Sequence, residues 1–274
     1  MVPFGVAEGG LDQRLLGDRR FAPTLALALL VFAIALAVGV GHWLEPTRAA
    51  GEPLAQLLKK PTTTTTVPKP KPVVPPKTLL ASPKGTITTF DAPNGHAIGQ
   101  TGTYYGYPLT TPVLQVQKDW MLIRLPTRPN GSTAWVRAAD VTLSNTPYRI
   151  VIHRDQTNVT VFKDGFPQFV IPAGLGKSST PTPLGSFFVA VIEQPGPPGY
   201  GPIILDTSGH SEAIQSWEGA GDAVIALHGP ISSSSDARIG TTGTYISNGC
   251  VRLHEADQQK LFEIPLGTPV DIVN

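Results

Sequence analysis

One long uncharged apolar run stands near the start of the chain, and shorter alternating segments follow it. Residues 23–44 carry no charged side chain and would span about 33 Å as a helix, which is enough to cross a bilayer. We predict a transmembrane signal anchor here, with a cytoplasmic N-terminus at 1–22, because the positive-inside rule applies to the arginines that precede the run, namely Arg14, Arg19 and Arg20. The alternative is a cleaved signal peptide, which would leave the protein secreted.

Residues 45–78 have a different composition, rich in proline, threonine and lysine. They contain a run of threonines at 62–66 and repeated Pro-Lys pairs. Little in this segment can be buried, so it predicts an extended, partly polyproline linker. At about 3.1 Å per residue, such a linker would reach on the order of 100 Å.

Short β patterns separated by turns fill residues 79–146. Apolar and polar residues alternate over 85–90, further short β segments follow at 113–117, 120–125 and 134–136, and the turn signal Pro-Asn-Gly lies between the last two. This pattern predicts a small β-barrel domain. Trp120 and Trp135 could form a ligand surface in it, although packing in the core or at the rim is the commoner use of tryptophan.

The remainder of the chain, 147–274, also has mainly β patterns. Strands are predicted at 149–153, 158–162, 168–172, 186–193, 223–228 and 270–273, and one short helix at 254–264. The sequence therefore predicts a mainly β protein with one or two short helices and two folded domains after the linker.

Composition limits the classes of function. Lys and Arg number 21 against 20 Asp and Glu, a net charge of +1, so the chain has no strong positive field and we expect no nucleic-acid partner. A single cysteine excludes an intrachain disulfide. One cysteine with scattered histidines also lacks the ligand spacing of a zinc site, so neither a metal nor another cofactor is expected.

The candidate chemistry centres on Cys250, in the sequence Ser-Asn-Gly-Cys-Val-Arg-Leu at 247–253. A lone cysteine is most often a small buried hydrophobe, but this one follows a glycine and precedes an arginine in a turn-rich stretch. A thiol near neutral pH needs a base to become a nucleophile. From the residues alone that base could be His228, which ends an apolar run, or else His210 or His254.

Together these motifs resemble the active-site signature of the L,D-transpeptidases, the YkuD-like catalytic domains. The resemblance rests on Leu-His-Gly-Pro at 227–230, the cysteine motif at 247–253, and the segments 176–188 and 198–201. It covers roughly 147–274. Asn248 stands where the family usually has a second histidine, and the loop between His228 and Cys250 is longer than usual. Residues 119–125 with 131–136 resemble bacterial Src-homology-3-like domains that accompany wall enzymes.

The resemblance implies roles for individual residues. Cys250 would be the nucleophile and His228 the base, oriented by the backbone carbonyl of Gly229. Backbone N–H groups at Asn248, Gly249 and Cys250 would bind the oxyanion. Three further residues are candidates for the substrate site, and each has a structural alternative: Arg252 as carboxylate ligand or ion-pair partner, Ser247 near the thiol or holding the turn, and Tyr200 in a loop that could be a lid or a plain surface loop.

The implied function is peptidoglycan L,D-transpeptidation. A thioester acyl-enzyme would form on a tetrapeptide stem, and an amine from a neighbouring stem would resolve it into a 3→3 cross-link. Such an enzyme would sit in the bacterial cytoplasmic membrane with its C-terminal domains in the cell-wall space, and carbapenem-type compounds would be expected to inhibit it. The alternatives are an L,D-carboxypeptidase, in which water resolves the same intermediate, and a non-catalytic wall-binding scaffold.

Overall fold

The computed structural model describes residues 70–217, 221–241 and 243–274. The predicted cytoplasmic segment 1–22, the anchor at 23–44 and most of the linker at 45–78 lie outside the described residues. In the part that is described, no helix is both long and apolar enough to span a bilayer. Residues 70–274 fall within one compact unit, which is mainly β as predicted.

The small β domain contains strands β1 to β9. Its main sheet has the order β3-β2-β8-β7-β6-β1-β9, and β4 pairs with β5 in a separate hairpin. The strands are β1 Thr78–Pro83, β2 Ile87–Phe90, β3 Ala97–Thr101, β4 Thr103–Tyr104, β5 Tyr107–Pro108, β6 Thr111–Gln117, β7 Trp120–Arg124, β8 Thr133–Arg137 and β9 Val141–Thr146. A 3-10 turn at Ala138–Asp140 precedes β9.

Alternation along β7 and β8 produces the core of this domain. Ile123 and Val136 are fully buried, while their neighbours along each strand are more exposed. Trp120 is also buried and packs edge-on against Phe90, with a ring-centroid distance of 5.0 Å. This tryptophan therefore has the packing role, which the sequence left open against a ligand surface.

The second domain is built on a longer mixed sheet with the order β12-β11-β10-β19-β14-β15-β16-β18. A parallel pair, β13 and β17, lies beside it. The strands are β10 Tyr148–His153, β11 Asn158–Lys163, β12 Phe166–Pro172, β13 Leu175–Gly176, β14 Gly185–Glu193, β15 Ile204–His210, β16 Val224–His228, β17 Tyr245–Ser247, β18 Val251–Arg252 and β19 Pro269–Val273. One apolar cluster joins strands from most of this sheet and contains Ile150, Val161, Leu205, Leu227, Val251 and Val270.

The helical content of the second domain is small. Helix α1 spans Ser233–Asp236 and helix α2 spans Glu255–Gln258, and α2 continues as a 3-10 turn at Gln259–Leu261. The single helix predicted over 254–264 was therefore wrong in extent. Short-range bonds such as Ile264 N–H to the Leu261 carbonyl, at 3.0 Å, replace a regular α-helix there, and Pro265 cannot continue one.

Candidate active site

A cavity of about 400 Å³ lies against β15, β16 and β18. Most of the residues singled out in the sequence meet on its wall, namely Cys250, His228, Arg252, Ser247, Asn248 and Tyr200. These residues come from three separate stretches of the chain, so the fold, and not sequence proximity, brings them together.

Strand pairing explains how the two reactive residues come to share this wall. Strands β16 and β18 are parallel neighbours, with Leu227 opposite Val251 and His228 opposite Arg252. Leu227 and Val251 point into the apolar core. Because side chains alternate along a strand, the flanking His228, Cys250 and Arg252 point to the opposite face, which is the cavity.

His228 is held in one protonation form and one tautomer. The ring is almost fully buried, and burial, with a smaller contribution from the Arg252 charge, lowers the His228 pKa to about 4. The ring is therefore neutral near pH 7. Its Nδ1 lies 2.7 Å from the Gly229 carbonyl oxygen, the contact implied by the family resemblance. A carbonyl only accepts, so Nδ1 carries the proton and Nε2 keeps a lone pair.

The Tyr200 loop supports this histidine from one side. The Tyr200 ring stacks at a tilt on His228, with a centroid distance of 4.7 Å. The Tyr200 carbonyl accepts from the Gly229 N–H at 2.7 Å and from Gln258 Nε2 at 3.0 Å. Residue 200 thus belongs to a fixed wall of the site in this structure, and the role of the loop as a lid remains a prediction.

Cys250 is the free cysteine and is partly buried. Its Sγ lies 3.8 Å from the Val224 carbonyl oxygen and can donate to it. Burial raises the Cys250 pKa, and the nearby Asp206 charge raises it further, while a backbone hydrogen bond at Ala226 and the Arg252 charge act in the opposite direction. The resting nucleophile is therefore a protonated thiol that needs a base.

A network of hydrogen bonds fixes the turn before the thiol. Ser247 Oγ donates to the Cys250 carbonyl at 2.6 Å and accepts from the Gly249 N–H at 3.0 Å. Thr182 Oγ1 donates to the Gly249 carbonyl at 2.7 Å and accepts from the Gly176 N–H at 2.9 Å. Ser247 therefore holds the turn, one of its two alternatives. Thr182 lies in a segment that the resemblance includes, but its contact was not predicted.

Gly249 is required by the backbone of this turn. Its φ is +129°, and a Cβ at this position would lie 3.0 Å from Ile225 Cδ1. Its N–H group donates to Ser247 Oγ in this structure. The roles of Asn248, Gly249 and Cys250 as oxyanion donors remain predictions.

Arg252 lines the cavity without a carboxylate partner. Its Nη1 donates to Ser235 Oγ at 2.8 Å, and no ion pair involves it within the described ranges. Burial lowers the Arg252 pKa below its ordinary value, yet an arginine stays cationic at neutral pH. Its role as a ligand of a substrate carboxylate remains a prediction.

The competing histidines lie elsewhere. His210 is fully buried, with Nδ1 2.8 Å from Asp222 Oδ2, and is not on the cavity wall. His254 pairs with Asp236 at 2.7 Å. Neither shares the cavity with Cys250. No cluster of His, Cys, Asp or Glu suited to a metal ion occurs among residues 70–217, 221–241 and 243–274.

The cavity wall also contains residues that the sequence analysis did not predict. Asp206 and Glu193 both line the cavity, and burial, with the Glu193 charge, raises the Asp206 pKa to about 7. Tyr105 reaches the same cavity from the small β domain. The alternation of β15 contains a signal for Asp206, which is next to the core residue Leu205, but nothing local signals Tyr105.

Comparison with known proteins places this geometry in a family context. Residues 147–272 match the family model YkuD, the L,D-transpeptidase catalytic domain. The match covers a little less than half of the chain. It coincides with the second domain and supports an L,D-transpeptidase catalytic domain there, at the level of the family.

Solved L,D-transpeptidase structures are more distant. One from Mycobacterium smegmatis is 18% identical with a TM-score of 0.36 and covers 58% of this chain and 79% of its own. L,D-transpeptidase 3 of Mycobacterium tuberculosis, with a faropenem-derived adduct, is 18% identical with a TM-score of 0.37 and covers 54% and 76%. LdtMt1 in complex with imipenem is 18% identical with a TM-score of 0.33 and covers 72% and 82%. No curated protein matches the sequence.

Proposed function

We propose that this protein is a peptidoglycan L,D-transpeptidase that forms 3→3 cross-links through a thioester on Cys250. The observation that carries the proposal is the state of His228. Its Nδ1–H is bound to the Gly229 carbonyl at 2.7 Å, and its low pKa keeps the ring neutral. A base is therefore ready in the cavity that also holds the protonated thiol.

The first half-reaction is acylation. His228 Nε2 takes the proton of the Cys250 thiol while the sulfur attacks the carbonyl of the third stem residue, a diamino acid. The C–N bond to D-alanine then breaks, and the proton held by His228 passes to the departing amine. The products are a thioester and free D-alanine, and His228 returns to its neutral form.

The tetrahedral intermediate between these steps carries an oxyanion. The backbone N–H groups of Asn248 and Cys250 are the donors we assign to it. The network around Ser247 supports this role, because it fixes the path of the chain through the turn. Loss of one donor of this kind typically slows such a reaction about 10²- to 10³-fold.

The second half-reaction resolves the thioester. An amine of a neighbouring stem attacks the acyl carbon, His228 accepts its proton, and that proton returns to the leaving thiolate of Cys250. Arg252 would bind a substrate carboxylate through its guanidinium group. Its cationic head in the cavity and its lack of a carboxylate partner in the described ranges support this assignment.

The proposal includes the location of the enzyme. Residues 23–44 would anchor it in the bacterial cytoplasmic membrane, or be cleaved, and the linker at 45–78 would extend the folded domains into the wall space. The apolar run and the proline-rich composition support this arrangement. The relation of residues 79–146 to bacterial Src-homology-3-like domains remains a prediction.

Carbapenems provide a chemical test of the nucleophile. Their strained lactam carbonyl acylates a thiol when the ring opens, so no amine leaves. We expect Cys250 to form such an adduct, detectable as a mass increase on the peptide that contains it, and Cys250→Ala to form none. A folded protein whose thiol does not react would support the scaffold alternative.

The decisive experiment uses a disaccharide-tetrapeptide and reads product masses, with Cys250→Ala as the control. The expected result is a cross-linked dimer and loss of D-alanine, both absent with the variant. Loss of D-alanine without dimer would assign an L,D-carboxypeptidase. No reaction would reject both enzymatic functions.

A further inference from the structure

The small β domain reaches into the active-site cavity through the β4–β5 hairpin. Tyr105, at its tip, lines the cavity together with Cys250 and His228. The base of the hairpin is anchored, because Tyr104 and Leu109 pack into one buried cluster with Phe188 of β14. The position of Tyr105 over the cavity is therefore fixed by packing between the two domains.

A second contact between the domains fixes another part of the cavity wall. Arg128 Nη1 donates to the Ser211 carbonyl at 2.9 Å and its Nη2 to the Ile214 carbonyl at 3.1 Å. The same guanidinium pairs with Asp222 at 2.8 Å. Ser211, Ile214 and Asp222 all line the cavity, so the small β domain supports the wall beside Tyr105.

Tyr105 is not the residue that its turn would favour. The hairpin has a two-residue loop, Tyr105–Gly106, with φ values of +48° and +83°. Asn-Gly is the preferred pair for such a loop, and a tyrosine at positive φ is uncommon. The side chain is also 56% exposed, and its ring contacts the buried Tyr104 at a centroid distance of 4.4 Å. The turn itself does not require an aromatic ring there.

Charged side chains of both signs line the cavity. Arg252 supplies a cation, while Glu193 and Asp206 supply acidic groups, and neither acid forms an ion pair in the described part of the chain. Arg252 and Asp206 act on the Cys250 thiol with opposite signs. Tyr105 shares the cavity wall with Asp206 and Asp222. Burial is the main cause of its raised pKa, and the charges of these two acids raise it further.

We propose that Tyr105 is a specificity-determining residue for the second, amine substrate of the reaction. The inference rests on the proposed function. The donor stem presents the carboxylate of its terminal D-alanine, which matches the Arg252 cation. The acceptor binds as an ammonium group, which matches an aromatic face beside acidic groups, and it releases one proton to solvent before the resulting amine attacks the thioester. The small β domain thus takes part in choosing an amine over water to resolve the thioester.

The test compares full-length variants on one donor tetrapeptide, with D-alanine release and cross-linked product measured separately. Tyr105→Asn gives the turn its preferred residue but removes the ring contact with Tyr104. Because these two effects oppose each other, thermal stability should stay close to that of the wild type. Tyr105→Phe keeps the aromatic face. Tyr107→Ala is the matched control, because Tyr107 lies on the same hairpin, is 48% exposed and does not line the cavity.

For Tyr105→Asn we expect a ratio of cross-linking to hydrolysis that is lower by roughly two- to fivefold, with a smaller change in initial D-alanine release. Tyr105→Phe should restore the ratio, and Tyr107→Ala should not change it. A parallel fall in D-alanine release would overturn the acceptor assignment, as would an unchanged ratio or an equal effect of Tyr107→Ala. A wild-type protein that releases no D-alanine would instead reject the proposed function itself, before any variant is compared.

Discussion

Replacement of Ser247 by alanine tests the idea that one hydroxyl holds the nucleophile turn. The side chain is 2% exposed, and its Oγ bonds the Cys250 carbonyl at 2.6 Å and the Gly249 N–H at 3.0 Å. Alanine removes the hydroxyl that bonds both of these backbone groups and leaves a small space. Gly249 is buried, so its N–H loses the acceptor that Ser247 Oγ provides, whereas water can reach the partly buried Cys250.

The expected loss follows from these two contacts. A buried polar group left without a partner costs about 1–3 kcal/mol, and the more accessible carbonyl costs less. We expect the free energy of unfolding to fall by about 2 kcal/mol for Ser247→Ala. Activity should fall further, because a displacement of the thiol by about 1 Å can cost about 100-fold in rate.

Urea denaturation at pH 7 and the initial rate of D-alanine release provide the two measurements. Ser132→Ala is the control, since its Oγ also bonds one backbone carbonyl, that of Pro129 at 2.7 Å, but at the surface. That variant should stay within about 0.5 kcal/mol of the wild type. Our account of the turn would be refuted if Ser247→Ala matched the control in both stability and rate.

Three further predictions concern charge and backbone at the site. The pKa of His228 is lowered to about 4 in the folded protein, so His228 makes the free energy of unfolding rise as the pH increases from about 4 to 6.5. The pKa of Asp206 is raised to about 7, so Asp206 makes the free energy of unfolding fall as the pH increases from 3.8 to about 7. When the free energy of unfolding is measured by urea denaturation across this pH range, Asp206→Asn should therefore keep the rise with pH, and His228→Asn should keep the fall. Removing the Asp206 charge should also lower the pKa of Cys250, and Arg252→Gln should raise it. The pH dependence of alkylation by iodoacetamide measures this pKa. A shift in the reverse direction for either variant would contradict the assigned charges. Gly249→Ala places a side chain at φ +129°, so we expect about 1–3 kcal/mol of destabilisation in the same denaturation assay and loss of D-alanine release, and wild-type behaviour would show that the turn tolerates another backbone conformation.

Local pattern predicted those strands whose side chains alternate or form a buried run. The segment predicted at 113–117 lies within Thr111–Gln117 and that at 186–193 within Gly185–Glu193. The pattern failed for the helix at 254–264, where the buried residues Leu261 and Ile264 are placed by tertiary packing instead of regular helical turns. Very short elements such as Leu175–Gly176 and Val251–Arg252 are too brief to carry a period.

The sequence by itself determined the candidate chemistry: one thiol, a histidine that ends an apolar run, and a glycine before the thiol. It also determined the mainly β character, because alternation and turn residues act over a few positions. Only the tertiary structure decided which histidine shares a cavity with Cys250, and that Asp206 and Tyr105 belong to the same cavity. Strand pairing and packing between domains set those distances, and they join residues far apart along the chain, so no local pattern records them.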